Sequence, residues 1–168
     1  RLKSWDAGVI VGNDSTVVPG AETVRKTLER GYTGALGAGA VFQVMNSTVT
    51  MNLSVLFGTR GANWTLSAAC ASGAHAVGQA HMLISSGQQE IVLAGGAQEL
   101  GWEGTTAFDA LGAFSKRVDA PEAACRPFDA GRDGLVPSGG AAMLVLESLD
   151  HARARGADIY AEVLGYAF

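Results

Sequence analysis

Short, compact apolar runs alternate along this chain with longer segments that mix apolar and charged positions. "AGVIVGN" and "EIVLAGG" are β-branched runs closed by Gly and read as strands, whereas "AETVRKTLERG", between Ala21 and Gly31, has helical composition and a Gly stop. A second helix is predicted over Val44 to Phe57, and "ANWTLS" reads as a strand running into a helix from Ala71 to about Ser86. A less regular stretch follows from Gly96 to Arg126. The turn-rich "RPFDAGRDGLVPSGG" then leads into a strand "AAMLVLE", a basic helix "SLDHARARG" and a final strand-like run, "IYAEVLGYAF". This alternation predicts an α/β layered architecture, with helices packed on a mixed, mostly parallel sheet.

Composition narrows the classes. The 168 residues are 48% hydrophobic and 17% charged, which suits an ordinary globular core and excludes a disordered chain. The net charge of −4 argues against nucleic acid as a partner, since phosphate binding needs a broad basic face. No apolar run reaches the roughly 20 residues of a membrane-spanning helix, and "RLKSWDAGVIVGN" has no signal-peptide core, so a cytoplasmic location is expected. The chain opens on Arg1 and stops inside the strand-like run Ile159 to Phe168, which predicts a piece of a longer protein.

The two cysteines, Cys70 and Cys125, cannot build a disulfide framework and matter as thiols if they matter at all. Cys70 lies in "TLSAACASGAHAVG", at the predicted strand-to-helix turn, among Ala68, Ala69, Ala71, Ser72 and Gly73. Small neighbours suit a chain that doubles back tightly, as in a nucleophile elbow. Amides at a helix start favour an anionic sulfur and can stabilise the oxyanion that forms when a thiolate attacks a thioester. The competing reading is a small buried hydrophobe, the commonest fate of a lone intracellular cysteine. Cys125, in "EAACRPFD", has no strand before it or helix after it and keeps that reading. The histidines supply no local partner. His75, five residues after Cys70, falls about 140° around the helix from it; His81 lies on another face and His151 among arginines. None of them has zinc-ligand spacing, so no metal site is expected.

"SAACASGAHAVG", "EIVLAGGAQELGWE", "AFDALGAFS" and "RPFDAGRDGLVPSGGAAMLVLE", in that order and over nearly the whole chain, resemble the β-ketoacyl-[acyl carrier protein] synthases, closest to the synthase I branch. Polyketide and aryl-polyene ketosynthases share much of the pattern. The resemblance implies a thiolase-like fold, of which residues 1–158 would be an incomplete first half carrying the nucleophile on a buried helix. Residues 159–168 would then be the first strand of the absent second half. It also implies a central strand, preceding Arg1, between "AGVIVGN" and "EIVLAGG".

The same resemblance makes Cys70 the acyl-accepting nucleophile, with its own N–H as one arm of an oxyanion hole, and places Phe108 beside the acyl chain. Asp129, Arg132 and Asp133 would be structural. Arg25, Lys26 and Arg30 fall where relatives dock their carrier protein, although "GYTGALG" adds no further positive charge. Asn63, Trp64, Thr65 and Leu66 would form the seam of a homodimer. The implied reaction is a decarboxylating Claisen condensation between acyl-cysteine and malonyl carrier protein in fatty-acid biosynthesis. It needs no metal or organic cofactor, and the partners are acyl carrier proteins bearing acyl and malonyl thioesters. Two histidines and a lysine would come from outside these residues. A thiol hydrolase with a nucleophile elbow would instead need an acid and a His after later strands. A non-catalytic chain-length-factor-like subunit usually lacks the cysteine.

Overall fold

A computed structural model describes residues 7–168. In chain order the elements are β1 (Ala7–Gly12), α1 (Val18–Arg30), a 3-10 turn (Thr33–Leu36), α2 (Ala40–Gln43), α3 (Thr48–Phe57), β2 (Asn63–Leu66), α4 (Ser72–Ser85), β3 (Ile91–Gln98), α5 (Trp102–Ala110), a second 3-10 turn (Pro121–Ala123), β4 (Gly140–Glu147) and α6 (Leu149–Ala154). Two compact units result. One holds the described residues up to Thr16 with Val41–Gln98 and Ala141–Phe168; the other holds Val17–Ala40 and Glu99–Gly140.

The first unit is built on a four-stranded sheet in the order β2-β1-β3-β4. β1 is buried along its whole length, as a strand with neighbours on both sides and layers on both faces must be. It pairs in parallel with β2, from Val9↔Asn63 to Gly12↔Leu66, and with β3, from Ala7↔Ile91 to Gly12↔Gly96. The direct β1–β3 ladder corrects the expectation of an intervening strand. Both runs are apolar on both faces and match in length, so each completes the other's backbone hydrogen bonds.

Helix α4 covers one face of this sheet. Ser72, Ala76 and Ala80, spaced four residues apart, form its sheet-facing buried side, while Gly78, on another face, is buried under Tyr166. Ala76 and Ala80 pack with Ile10, Val92 and Ala94, and Leu66, Val77, Leu83, Ile84 and Leu146 close the rim of the cluster. The contact is close because glycines meet there. A Cβ on Gly12 would fall on the backbone of Ser72 and Gly73, and Gly73 in turn faces the Cα of Gly96. This answers why the segment around Cys70 is so poor in large side chains. A Leu or Val at these positions would hold the start of α4 away from the strand ends.

Helix α3 is shorter than expected. Instead of running from Val44 it starts at Thr48, after a turn in which Asn46 Nδ2 donates to the Asp14 carbonyl at 3.1 Å. The run Ile159 to Phe168 forms no strand, because a strand exists only with a ladder partner and the four-stranded sheet offers it none. It packs by its end instead. The Tyr166 ring lies over Gly78 of α4, its hydroxyl 2.5 Å from His75 Nδ1, and Phe168 tilts against the same imidazole at 6.2 Å.

In the second unit, α1 has Pro near its start and ends on Gly31, whose φ of 74° closes the helix in the left-handed region. The first amides of α1 are satisfied by the carboxylate of Glu99, which accepts from Val17 and, at 3.0 Å, from Val18.

Gly12→Ala should destabilise the fold by about 1–3 kcal/mol, the usual cost of overpacking, because the obstructing atoms are backbone. Gly20→Ala, within α1 and with open space around it, should be neutral or stabilising by up to about 1 kcal/mol. Urea denaturation of the two variants measures both, and equal midpoints would refute the close-packing account.

Candidate functional site

Between β2 and α4 the chain reverses through Ser67–Ala71. Ala69 has φ 48°, one of two non-glycine residues in the left-handed region among those described, and it directly precedes Cys70. A conformation of this kind costs on the order of 1–3 kcal/mol and persists only where the surroundings enforce it. Ser72 supplies the enforcement. Its hydroxyl accepts from the Ala68 N–H at 2.8 Å and donates to the Ala69 carbonyl at 2.6 Å, while the amides of Ala71 and Ser72 donate to the Ala68 and Ala69 carbonyls at 3.1 Å each. Ser72 is 4% exposed, so these bonds form away from competing water. From the sequence alone Ser72 is one small neighbour of Cys70 among several. A serine at a helix start is the available signal for its bonding role.

Cys70 stands at the apex of this turn, two residues before α4, and is exposed. The resemblance implied a cysteine on a buried helix. Here Ser72, Ala76 and Ala80 take the buried sheet side of α4, and the thiol precedes the helix on an open turn. Cys125 is exposed as well, after the Pro121–Ala123 turn and with no helix behind it. Exposure therefore does not separate the two thiols; their backbone setting does.

The histidines remain apart from this turn in role. His75 is engaged by Tyr166, and His151 approaches Glu147 at 3.5 Å on α6, where Arg155 holds the same carboxylate at 2.8 Å. His81 lies half-buried on α4. Asn63, Trp64, Thr65 and Leu66 make up β2, at one edge of the four-stranded sheet. Trp64 is 39% exposed there, and the Thr65 hydroxyl meets that of Thr50 at 2.6 Å.

The second unit carries the other predicted residues. Arg25 pairs with Glu29 and Lys26 with Glu22, each at 2.7 Å along the exposed face of α1, so two of the three basic candidates are neutralised by their own helix. Phe108, on α5, is 46% exposed and stacks on Phe114 with ring centroids 6.3 Å apart. The charge pairing in "RPFDAGRDG" is Arg126 with Asp133 at 2.9 Å. Arg132 instead donates to the backbone carbonyl of Asp129.

The sequence profile described as "Beta-ketoacyl synthase, N-terminal domain" matches residues 1–152. The chain belongs to the β-ketoacyl synthase family. It is 47% identical to the 3-oxoacyl-[acyl-carrier-protein] synthase 1 of Haemophilus influenzae over 96% of its own length, and it spans 43% of that relative. A β-ketoacyl synthase crystal structure from Burkholderia phymatum superposes with a TM-score of 0.82 at 41% identity, over 92% of this chain and 38% of that one. A ketosynthase solved in complex with its type II PKS acyl-carrier protein, bound to the hexaketide, gives 0.86 at 30% identity, over 95% of this chain and 41% of that one. The β-ketoacyl synthase chain thus has the thiolase-like α/β fold that its sequence implied. No helix among its described residues is long and apolar enough to cross a membrane.

In this synthase chain the best-defined electrostatic feature is Asp133. The Ser115 hydroxyl, the Lys116 N–H and the charges of Arg126 and Arg117 hold its carboxyl below the ordinary value of 3.8, against a smaller opposing effect of desolvation. A depressed carboxyl contributes stability that is present above its unfolded pKa and lost as pH falls through the folded one. Thermal midpoints of the wild type should therefore drop more steeply than those of Asp133→Asn as pH is lowered below 3.8. Parallel curves would show that the network adds nothing to stability.

Proposed function

We propose that this chain is the nucleophile-bearing N-terminal part of a β-ketoacyl-[acyl carrier protein] synthase of fatty-acid biosynthesis, acting in the cytoplasm as a homodimer. Residues 1–158 belong to the first half of the enzyme and 159–168 open the second. The carrying observation is the Cys70 turn: a cysteine after a left-handed Ala69, braced by Ser72, at the start of a helix pressed on the sheet.

The Cys70 thiolate attacks the carbonyl carbon of an acyl thioester on an acyl carrier protein. A C–S bond forms, the oxyanion gathers on the carbonyl oxygen, and its collapse expels the carrier's thiolate. The Cys70 N–H serves as one arm of the oxyanion hole; the neighbouring amides of Ala71 and Ser72 are already used inside the turn. Malonyl carrier protein then loses carbon dioxide, and the carbanion attacks the acyl-cysteine carbonyl. The new C–C bond forms as the C–S bond breaks, which returns Cys70 as thiolate. Two histidines and a lysine from the second half handle decarboxylation, and Phe108 contacts the acyl chain. The match to a ketosynthase solved with its acyl-carrier protein supports a carrier protein as partner. For docking, Arg30 is a stronger candidate than Arg25 and Lys26, whose charges are spent on Glu29 and Glu22.

A thioester-mimicking electrophile should label Cys70 faster than Cys125 by on the order of 10-fold or more, and Cys70→Ser should abolish acylation. Peptide mapping that found the label mainly on Cys125 would defeat the assignment.

For the homodimer, the supporting feature is the position of β2 at the sheet edge with Trp64 part-exposed. Trp64→Asp in the complete synthase should lower the mass measured by light scattering toward that of the monomer. An unchanged mass would move the interface elsewhere.

A further inference from the structure

Within the second unit, residues 133–135 bracket Phe114. The Leu135 N–H donates to the Ala113 carbonyl at 2.8 Å, and the Ser115 N–H donates to the Leu135 carbonyl at 2.9 Å, so the backbone on both sides of Phe114 is tied to one residue. Gly134, just before Leu135, has φ 152°, and a Cβ there would strike the backbone of Phe114 and Ser115. The Asp133 carboxylate completes the bracket. It accepts from the Ser115 hydroxyl at 2.8 and 2.9 Å and from the Lys116 N–H at 3.2 Å, and Arg126 Nη2 donates to it at 2.9 Å. Phe114 then presents its ring to Phe108, stacked at 26° between planes, while the Ala113 N–H donates to the Phe108 carbonyl at 3.1 Å.

We infer that Asp133 is a positioning residue that sets the Phe108 ring, and through it acyl-chain selectivity, by locking Ser115 and hence Phe114. The inference rests on the proposed role of Phe108 as an acyl-chain contact. Its physical basis is that an exposed aromatic ring discriminates only if it is held. Phe108 is nearly half exposed, and its one ring contact among the described residues is Phe114. A stack of this kind transmits position only as well as its partner is fixed. Phe114 is fixed by backbone bonds and a charge-assisted cluster, which is stronger than a neutral one. Asp133, by contrast, directs its bonds to Ser115, Lys116 and Arg126.

The test uses the complete synthase with para-fluorophenylalanine in place of Phe108 and the variants Asp133→Asn and Ser115→Ala. Both variants should shift or broaden the fluorine resonance. They should also change the ratio of kcat/KM for long over short acyl thioesters by roughly 10-fold, the scale on which an apolar site distinguishes one methylene. Adding either variant to Phe108→Ala should change the ratio no further. A fluorine resonance identical to the parent's in both variants overturns the inference, whatever happens to the ratio. So does an unchanged ratio in both variants when Phe108→Ala alone changes it. If Asp133→Asn does not fold, Ser115→Ala, which leaves the Arg126 pair in place, decides alone. A wild type that transfers no acyl group to Cys70 defeats the proposed function instead, and the fluorine spectra then still accept or reject the lock on Phe108.

Discussion

The close approach of α4 to the ends of β1 and β3 is the constraint on which the rest of the first unit depends. Gly12, Gly73 and Gly96 let backbone meet backbone where larger side chains would separate them. With the helix start held against the sheet, the connection from β2 has only Ser67–Ala71 in which to reverse. A short reversal forces one residue out of the ordinary regions, and Ala69 is that residue. The cysteine that follows is thereby lifted to the apex. Packing, turn strain and thiol placement are consequences of one another here, and Ser72 bonds the three together from a buried position.

The second unit uses a different device. It has none of the buried aliphatic cluster that α4 shares with the sheet; its order comes from directed polar bonds, with Glu99 capping α1 and Asp133 gathering Ser115, Lys116 and Arg126. Such bonds suit loops, which must satisfy their own backbone groups without a ladder. Each ties a sequence-distant residue to one geometry. An aromatic residue such as Phe114 can then sit on irregular chain with the backbone on both sides of it bonded.

The two units handle charge differently. On α1 the basic residues Arg25 and Lys26 are matched to Glu29 and Glu22 at helical spacing, which leaves an exposed face with little net field. At the Cys70 turn the polar work is done by backbone amides and the hydroxyls of Ser67 and Ser72, without a side-chain charge bonded to the turn among the described residues. Anion stabilisation by fixed amides does not depend on a titrating group, which fits the oxyanion chemistry proposed for this turn.

Local pattern determined most elements of this chain. The β-branched runs became β1 and β3, "ANWTLS" became β2, and the helix after Cys70 falls within a residue of its expected bounds, because strand and helix periodicities and Gly stops act over a few neighbours. Four ordered motifs were enough to identify the family. Pairing was another matter. That β1 and β3 join directly, and that Ile159 to Phe168 finds no ladder and folds Tyr166 over Gly78, are decided by which partners are present in space. The bonding role of Ser72, the neutralisation of Arg25 and Lys26, and the choice of Arg126 over Arg132 as the partner of Asp133 were settled at the same level. Composition shows that such groups exist along the chain. Only the fold fixes the distances at which they meet, and hydrogen bonds and close packing are won or lost over a few tenths of an ångström.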